Sequence, residues 1–357
     1  MLKKAAALFF VCASIAICVS CSTTANRYLY AAIPGGAAGE IVAYREDPNS
    51  GALTQLAGSP ITAGGAVESL VIHPSKKYMY AANSGEGDIS LFTISSTGGL
   101  QEITPRTLAG TAPTLLVMDS AGAYLYAANS GSYNISTYSI SSSTGALTAI
   151  GTYQIGMSAM NMKLSPSGGV LYVTGIGLPG AIQAFTVTNG VLSSTPIAGS
   201  PYVTGNNPLG LAITPNGGFL YTANKVDNSI SEFTINSDGS LTPLANSPIG
   251  ESYSGPVSLL IDNSGKYLFV ANQGSSNVAG YSIGSTDGSL TLLTSSPFGT
   301  GPQPSFIATD PNGKYLFVGN QQSPAVESFS LDGSSGTLTA VSTYTVPANP
   351  TSIVLTP

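Results

Sequence analysis

The feature that most restricts this sequence of 357 residues is a pattern that can be laid along it seven times. Its clearest copy is Tyr124 to Ile150, YLYAANSGSYNISTYSISSSTGALTAI. It opens with an apolar run, passes an Asn and a Gly/Ser turn, continues as I-x-x-Y-x-I, and after a second turn ends as G-x-L-T-x-I. Each piece is short and bounded by turn residues, so the copy reads as three strands. A fourth strand, usually led by Pro and ended by a tight turn, follows each copy, as in Pro304 to Gly313, PSFIATDPNG. The apolar runs start at Tyr28, Tyr78, Tyr124, Val170, Phe219, Tyr267 and Tyr315, in steps of 50, 46, 46, 49, 48 and 48 residues. A period in the forties with four strands per repeat is the pattern of propeller blades. Seven copies therefore predict an all-β, seven-bladed β-propeller with four-stranded antiparallel blades.

Composition enters where the repeat leaves a choice. Charged residues make up only 8%, against roughly 25% in an ordinary soluble chain, which suits turn-rich sheet with a polar, uncharged surface. Met1 to Ser20 reads as an export signal, with Lys3 and Lys4 ahead of the apolar stretch Ala5 to Val19. Its length, with strands following at once, argues against a membrane span. Residues 21–26 form a short tether. Cys21 follows a small residue, as in the lipobox of bacterial lipoproteins, although Cys18 stands where that motif usually carries Leu. Lipidation of Cys21 is the expectation, ordinary signal cleavage the alternative, and Ser22 after it resembles lipoproteins sorted to an outer membrane. The other cysteines, Cys12 and Cys18, lie in the leader, so the exported chain holds no cysteine pair for a disulfide. Without Lys3 and Lys4 there are 9 basic against 17 acidic residues, which sets nucleic acid aside as a partner.

Within a blade the Pro-led strand is the innermost (A), and the apolar run (B), the I-x-x-aromatic-x-I run (C) and the Leu-Thr run (D) follow outward. Residues 27–357 form one domain that begins on a B strand, Arg27 to Ile33, and ends on an unpartnered A strand, Thr351 to Thr356. The last strand should complete the N-terminal blade (27–56) and so remove the open sheet edges. The aromatic once per C strand (Tyr44, Phe92, Tyr138, Phe185, Phe233, Tyr281, Phe329) reads as interblade core. Asn83, Asn129, Asn224, Asn272 and Asn320, ending B strands, read as turn residues. Ile33 and Gly175 at that place make the first and fourth B–C loops irregular.

Repeats of the form P-x-x-[apolar strand]-x-P-x-G-K-Y-L-[YF]-[VA]-[TA]-N resemble the seven-bladed propeller lactonases, the group containing propeller-type 6-phosphogluconolactonase and the fungal carboxymuconate cyclase. They also resemble the Y-V-T-N repeats of surface-layer proteins. The likeness covers Arg27 to Pro357, and it implies a site of His, Arg and Glu side chains around one mouth of the central channel. Opening a lactone needs a base for water and a cationic or hydrogen-bonding group for the developing oxyanion. The single histidine, His73, lies in an A–B turn, on the face opposite the mouth, and reads as a turn residue. Glu68 falls at the mouth end of an A strand, where the other blades carry Thr114, Met160, Leu209, Val257, Ser305 and Thr351. Lys163, beside Asn161 in MNMKLSP, is the only charge inside the body of an A strand, and Arg106 is expected in the D–A loop before the third blade. Lys163 and Arg106 would attract a carboxylate or enolate, with Asn161 as a further ligand-binding group and Glu68 as base or acceptor; alternatively, Lys163 merely reaches channel water and pairs loosely with a neighbouring acid. Asp119, Asp262 and Asp310 recur at A–B turns and read as bonding their own turns, so no metal and no cofactor is expected.

Two functions follow. One is an exported, monomeric binding module at the cell envelope, held by its lipid anchor with the mouth facing away from the membrane, taking a small metabolite, a glycan or an envelope protein. The other is a lactonase opening a sugar lactone or related cyclic ester. Phosphorylated sugar lactones are cytoplasmic metabolites, so export and the displaced histidine favour the binding module.

Overall fold

The computed structural model describes residues 26–35 and 38–356. Among them are seven antiparallel sheets, each running A, B, C, D outward. Ring closure is as the two ends of the chain predict. Ser352–Leu355 lies against Arg27–Ile33, with Leu29 opposite Leu355 and Ala32 opposite Ser352. Tyr28 and Thr356 extend the pairing, the Tyr28 N–H donating to Thr356 Oγ1 (3.0 Å) and the Thr356 N–H to the Tyr28 carbonyl (2.9 Å).

The blades cohere through their faces. Because each sheet is covered on both sides, its B strand is apolar throughout. One apolar cluster sits between every neighbouring pair of blades, including the pair that joins the last blade to the first, where Leu29, Tyr44 and Ile353 meet Phe317 and Val326. All seven C-strand aromatics are at most 4% exposed, as core residues should be.

A second contact repeats around the ring. The B-strand tyrosines reach the C–D turn of the next blade, where Tyr28 donates to Ser96 O (2.9 Å), Tyr78 to Ser143 O (2.7 Å) and Tyr267 to Ser334 O (2.7 Å). Tyr315 donates to Asn49 O and carries this latch across the seam. The turn can come so close because it carries glycine. Gly98 has φ 79° and lies against the Tyr28 ring, where a Cβ would be only 2.3 Å from Cδ1.

The D strands depart from the expectation of one uniform outer strand. In blades 2, 3 and 7 they are continuous (Leu100–Leu108, Leu147–Gln154, Leu338–Thr345). In blades 1, 4, 5 and 6 they break into two short pieces around Ser59-Pro60, Ser200-Pro201, Ser247-Pro248 and Ser296-Pro297. At each break the serine hydroxyl accepts the C-strand N–H left without its ladder partner: Ala43, Ala184, Glu232 and Gly280, at 2.8, 3.1, 2.8 and 3.0 Å. Proline is tolerated because these are edge strands. Arg106 is corrected here: it lies inside the continuous strand Leu100–Leu108, not in a loop, because no Ser-Pro break ends that strand early.

Candidate functional site

The A strands enclose a central channel with a cavity of about 520 Å³. Their first residues pair with the last residues of the B strands, so the B–C and D–A loops ring one mouth and the A–B turns the other end. The end of the B–C ring nearest blade 2 carries the expected carboxylate. Glu68 is half-buried beside Ser84, whose hydroxyl donates to its Oε1 at 3.4 Å. Burial pushes the Glu68 carboxyl above the usual range, and the Ser84 hydrogen bond opposes that only in part.

Lys163 does line the channel, but it does not meet Glu68. Met160 holds in blade 4 the place that Glu68 holds in blade 2, and three strand residues at about 3.3 Å each set Lys163 roughly 10 Å deeper. The amine is open to channel water yet surrounded by protein on every side. That enclosure pushes its pKa below the ordinary lysine value. Asn161 is committed to the wall, its amide donating to Leu209 O of the next blade at 3.0 Å. Arg106 is likewise occupied: Nε donates to Glu102 (2.7 Å), Nη1 pairs with Glu86, and Asp88 stands 3.9 Å away. The structure therefore does not bring Glu68, Lys163 and Arg106 together.

His73 is a turn residue, as read. Its Nε2 donates to Gly122 O (2.9 Å) and its Nδ1 accepts from the Ser75 N–H (3.0 Å). The B-strand asparagines are buried, and four of them brace their own blades; Asn129, for instance, donates to Asn134 (2.8 Å) and Ser136 (3.0 Å). Asp119, Asp262 and Asp310 accept backbone N–H groups of their turns. Among the described residues no cluster of metal-ligating side chains occurs. Cys21 and the leader lie outside the described residues.

The residues that follow those asparagines form a set the sequence reading missed. Lys225 Nζ donates to Gln273 Oε1 at 2.7 Å, and Gln273 Nε2 donates to Gln321 Oε1 at 3.0 Å. This ladder crosses blades 5, 6 and 7, and in a ring of seven it stands across the mouth from Glu68 on blade 2. Lys225 has no acidic partner among the described residues and keeps two N–H donors free, while the Gln321 amide is free to donate. Repeating at a separation of 48 residues, the three positions were findable by stacking the copies. Between the two polar sides runs an apolar crescent of exposed residues, the strand ends Leu108 and Val203 and the loop residues Tyr133, Ile176, Leu178 and Val226.

Comparison with known proteins bears on what such a mouth does. A model of the family described as lactonase, 7-bladed beta-propeller, matches residues 18–302 and 299–355. The periplasmic gluconolactonase of Pseudomonas aeruginosa is 20% identical with a TM-score of 0.75, covering 92% of this chain and 98% of its own. A Bacteroides fragilis protein described provisionally as a 6-phosphogluconolactonase is 21% identical with a TM-score of 0.79, covering 94% and 99%. A Lactobacillus plantarum protein is 20% identical with a TM-score of 0.79, covering 92% and 99%. No curated protein matches the chain in sequence. At these identities the solved structures speak for the fold, while the family model spans nearly the whole propeller. The chain belongs to the lactonase family of seven-bladed β-propellers.

Proposed function

We propose that the protein is an exported lactone hydrolase that opens a sugar lactone or a related cyclic ester at the channel mouth. The observation that carries this reading is membership of the lactonase family, and the two-sided mouth supplies groups suited to the chemistry. Water held by Glu68 loses a proton to its carboxylate as the oxygen adds to the lactone carbonyl. The oxyanion is stabilised by Lys225 Nζ and the amide donors of Gln273 and Gln321. Collapse breaks the ring C–O bond, the Glu68 carboxylic acid returns the proton to the departing alkoxide, and a hydroxy acid leaves. Likeness to a periplasmic gluconolactonase and the leader at residues 1–20 support export and an unphosphorylated substrate such as glucono-δ-lactone, with Cys21 as the membrane anchor.

The binding-module reading, preferred on the sequence alone, has less behind it after the family match. The exposed apolar crescent favours it as a second reading, because Leu178 at 87% and Leu108 at 80% exposure are costly unless something covers them.

Hydrolysis of glucono-δ-lactone followed in a pH-stat tests the proposal. The wild-type protein is expected to exceed the buffer rate and to lose activity as pH falls through a pKa above that of an ordinary glutamate, because only the ionised carboxyl accepts a proton. Glu68→Gln should cost about 10²–10⁴-fold and abolish that acid limb. A wild-type rate equal to buffer across a panel of sugar and aryl lactones would return the preference to binding. Full activity in Glu68→Gln would remove Glu68 as the base.

A further inference from the structure

The seven A strands place one residue each opposite the third residue of the apolar runs that form their B strands. These are Val71, Val117, Lys163, Ala212, Leu260, Ala308 and Val354, paired with Tyr80, Tyr126, Tyr172, Tyr221, Phe269, Phe317 and Tyr30. One ammonium thus stands level with a belt of six hydrocarbon side chains, of which Val71, Val117, Leu260, Ala308 and Val354 line the cavity with it, below the mouth and separate from the proposed reaction site.

Nothing among the described residues balances that charge. Among the described residues Lys163 has no hydrogen-bond or ion-pair partner. The strands packed against its own, Pro113–Met118, Tyr124–Asn129, Val170–Gly175 and Pro208–Ile213, carry no acid and no other base. Their titratable groups are Tyr124, Tyr126 and Tyr172, and the Tyr172 hydroxyl donates to Gly239 O at 2.9 Å. Among the described residues no carboxylate lines the cavity. With no acid in reach, the Lys163 ammonium is met by channel water alone, and an anion entering the channel finds in it an unpartnered charge. The belt selects what kind: an anion with an apolar body covers hydrocarbon wall that a hydrated inorganic ion leaves wet. At about 520 Å³ the space is of small-molecule size.

We propose that the channel is a binding site for a small organic monocarboxylate, with its carboxylate on Lys163 Nζ and its hydrocarbon body against the belt. Ser258, which also lines the cavity, supplies a hydroxyl donor for the carboxylate. The site goes beyond the proposed reaction and does not depend on it. Binding returns to the amine the charge that enclosure disfavours, so it draws a proton from solvent wherever the free amine has lost one.

Calorimetry on the intact propeller tests this with benzoate, butyrate and, as the neutral counterpart of benzoate, benzyl alcohol. Saturable benzoate and butyrate binding is expected, weakened at least tenfold by Lys163→Met and retained by Lys163→Arg, with benzyl alcohol not binding. Lys225→Met, at the mouth, should leave the benzoate affinity unchanged. The proposal is overturned if the wild-type protein binds neither carboxylate, if Lys163→Met binds as tightly, or if Lys225→Met is the variant that abolishes binding. Circular dichroism of Lys163→Met establishes that the variant is folded, and benzoate binding retained by Lys163→Arg separates loss of charge from loss of packing.

Discussion

Three glutamates are held where a carboxylate is expensive. Glu46, Glu232 and Glu251 are 1%, 2% and 9% exposed, and burial pushes each up to about 7. Asp310 adds to the effect at Glu46 while Arg27, 3.7 Å away, opposes it. Tyr281 and Asn272 oppose it at Glu251. An acid whose folded pKa exceeds its unfolded one binds its proton more tightly when folded, so stability falls as pH rises through that interval. The window runs from about 4.3, the unfolded value, to about 7, and each group contributes on the order of 1–3 kcal/mol across it. Turn aspartates such as Asp238 and Asp287, held low by serine and backbone donors, act in the opposite sense but only in more acid solution. Thermal melts should therefore show a higher Tm at pH 5 than at pH 8, and Glu232→Gln should flatten the slope. A Tm that rises over this range would refute the assignment. At this scale the sequence showed Glu68 and Lys163 because each breaks a repeat. It hid the Lys225, Gln273 and Gln321 ladder because those residues look like ordinary loop until the blades are placed side by side.

The outer strands show how an element can be legible in number and not in form. One D strand per repeat was readable, but not the break that a Ser-Pro pair makes in four of them, and Arg106 lies in a strand rather than a loop for the same reason: whether a D strand runs on is decided by its edge pairing. Once the chain breaks at Ser247-Pro248, the Glu232 N–H on the neighbouring C strand depends on the Ser247 hydroxyl, 2.8 Å away. Ser247→Ala leaves that buried donor unpaired, and a cost of about 1–3 kcal/mol is expected in urea denaturation. Ser167→Ala in an exposed A–B turn, where the hydroxyl bonds only within its own turn, should change stability by less than about 0.5 kcal/mol. Equal effects of the two substitutions would show that the hydroxyl at the break is not what replaces the ladder.

The whole molecule depends on one short seam. The ring was legible because the domain opens on a B strand and ends on an A strand, and both neighbours of blade 1 could be named in advance. What the sequence did not show is how many separate contacts hold that seam. Ile353 is 1% exposed in the cluster between the first and last blades. The Leu70 N–H donates to Ser352 Oγ at 3.2 Å, and Thr351 Oγ1 donates to Val67 O at 2.9 Å, so the closing strand binds blade 2 as well as blade 1. On the far end Arg27 pairs with Asp310 of the last blade at 2.7 Å. Deleting residues 350–357 removes the innermost strand of blade 1, uncovers the edge of Arg27–Ile33 and opens the channel wall on one side. An uncovered strand edge is a template for another chain. The truncated protein is therefore expected to melt at a lower temperature and over a broader range than the full chain, and to associate with rising concentration in sedimentation. A synthetic peptide of residues 350–357 added in excess should restore part of the Tm and suppress association, because it binds the folded ring and not the unfolded chain. If the truncated chain stays monomeric and melts as the full chain does, closure by this strand contributes nothing, and the stability of the ring rests on the interblade clusters and tyrosine latches alone.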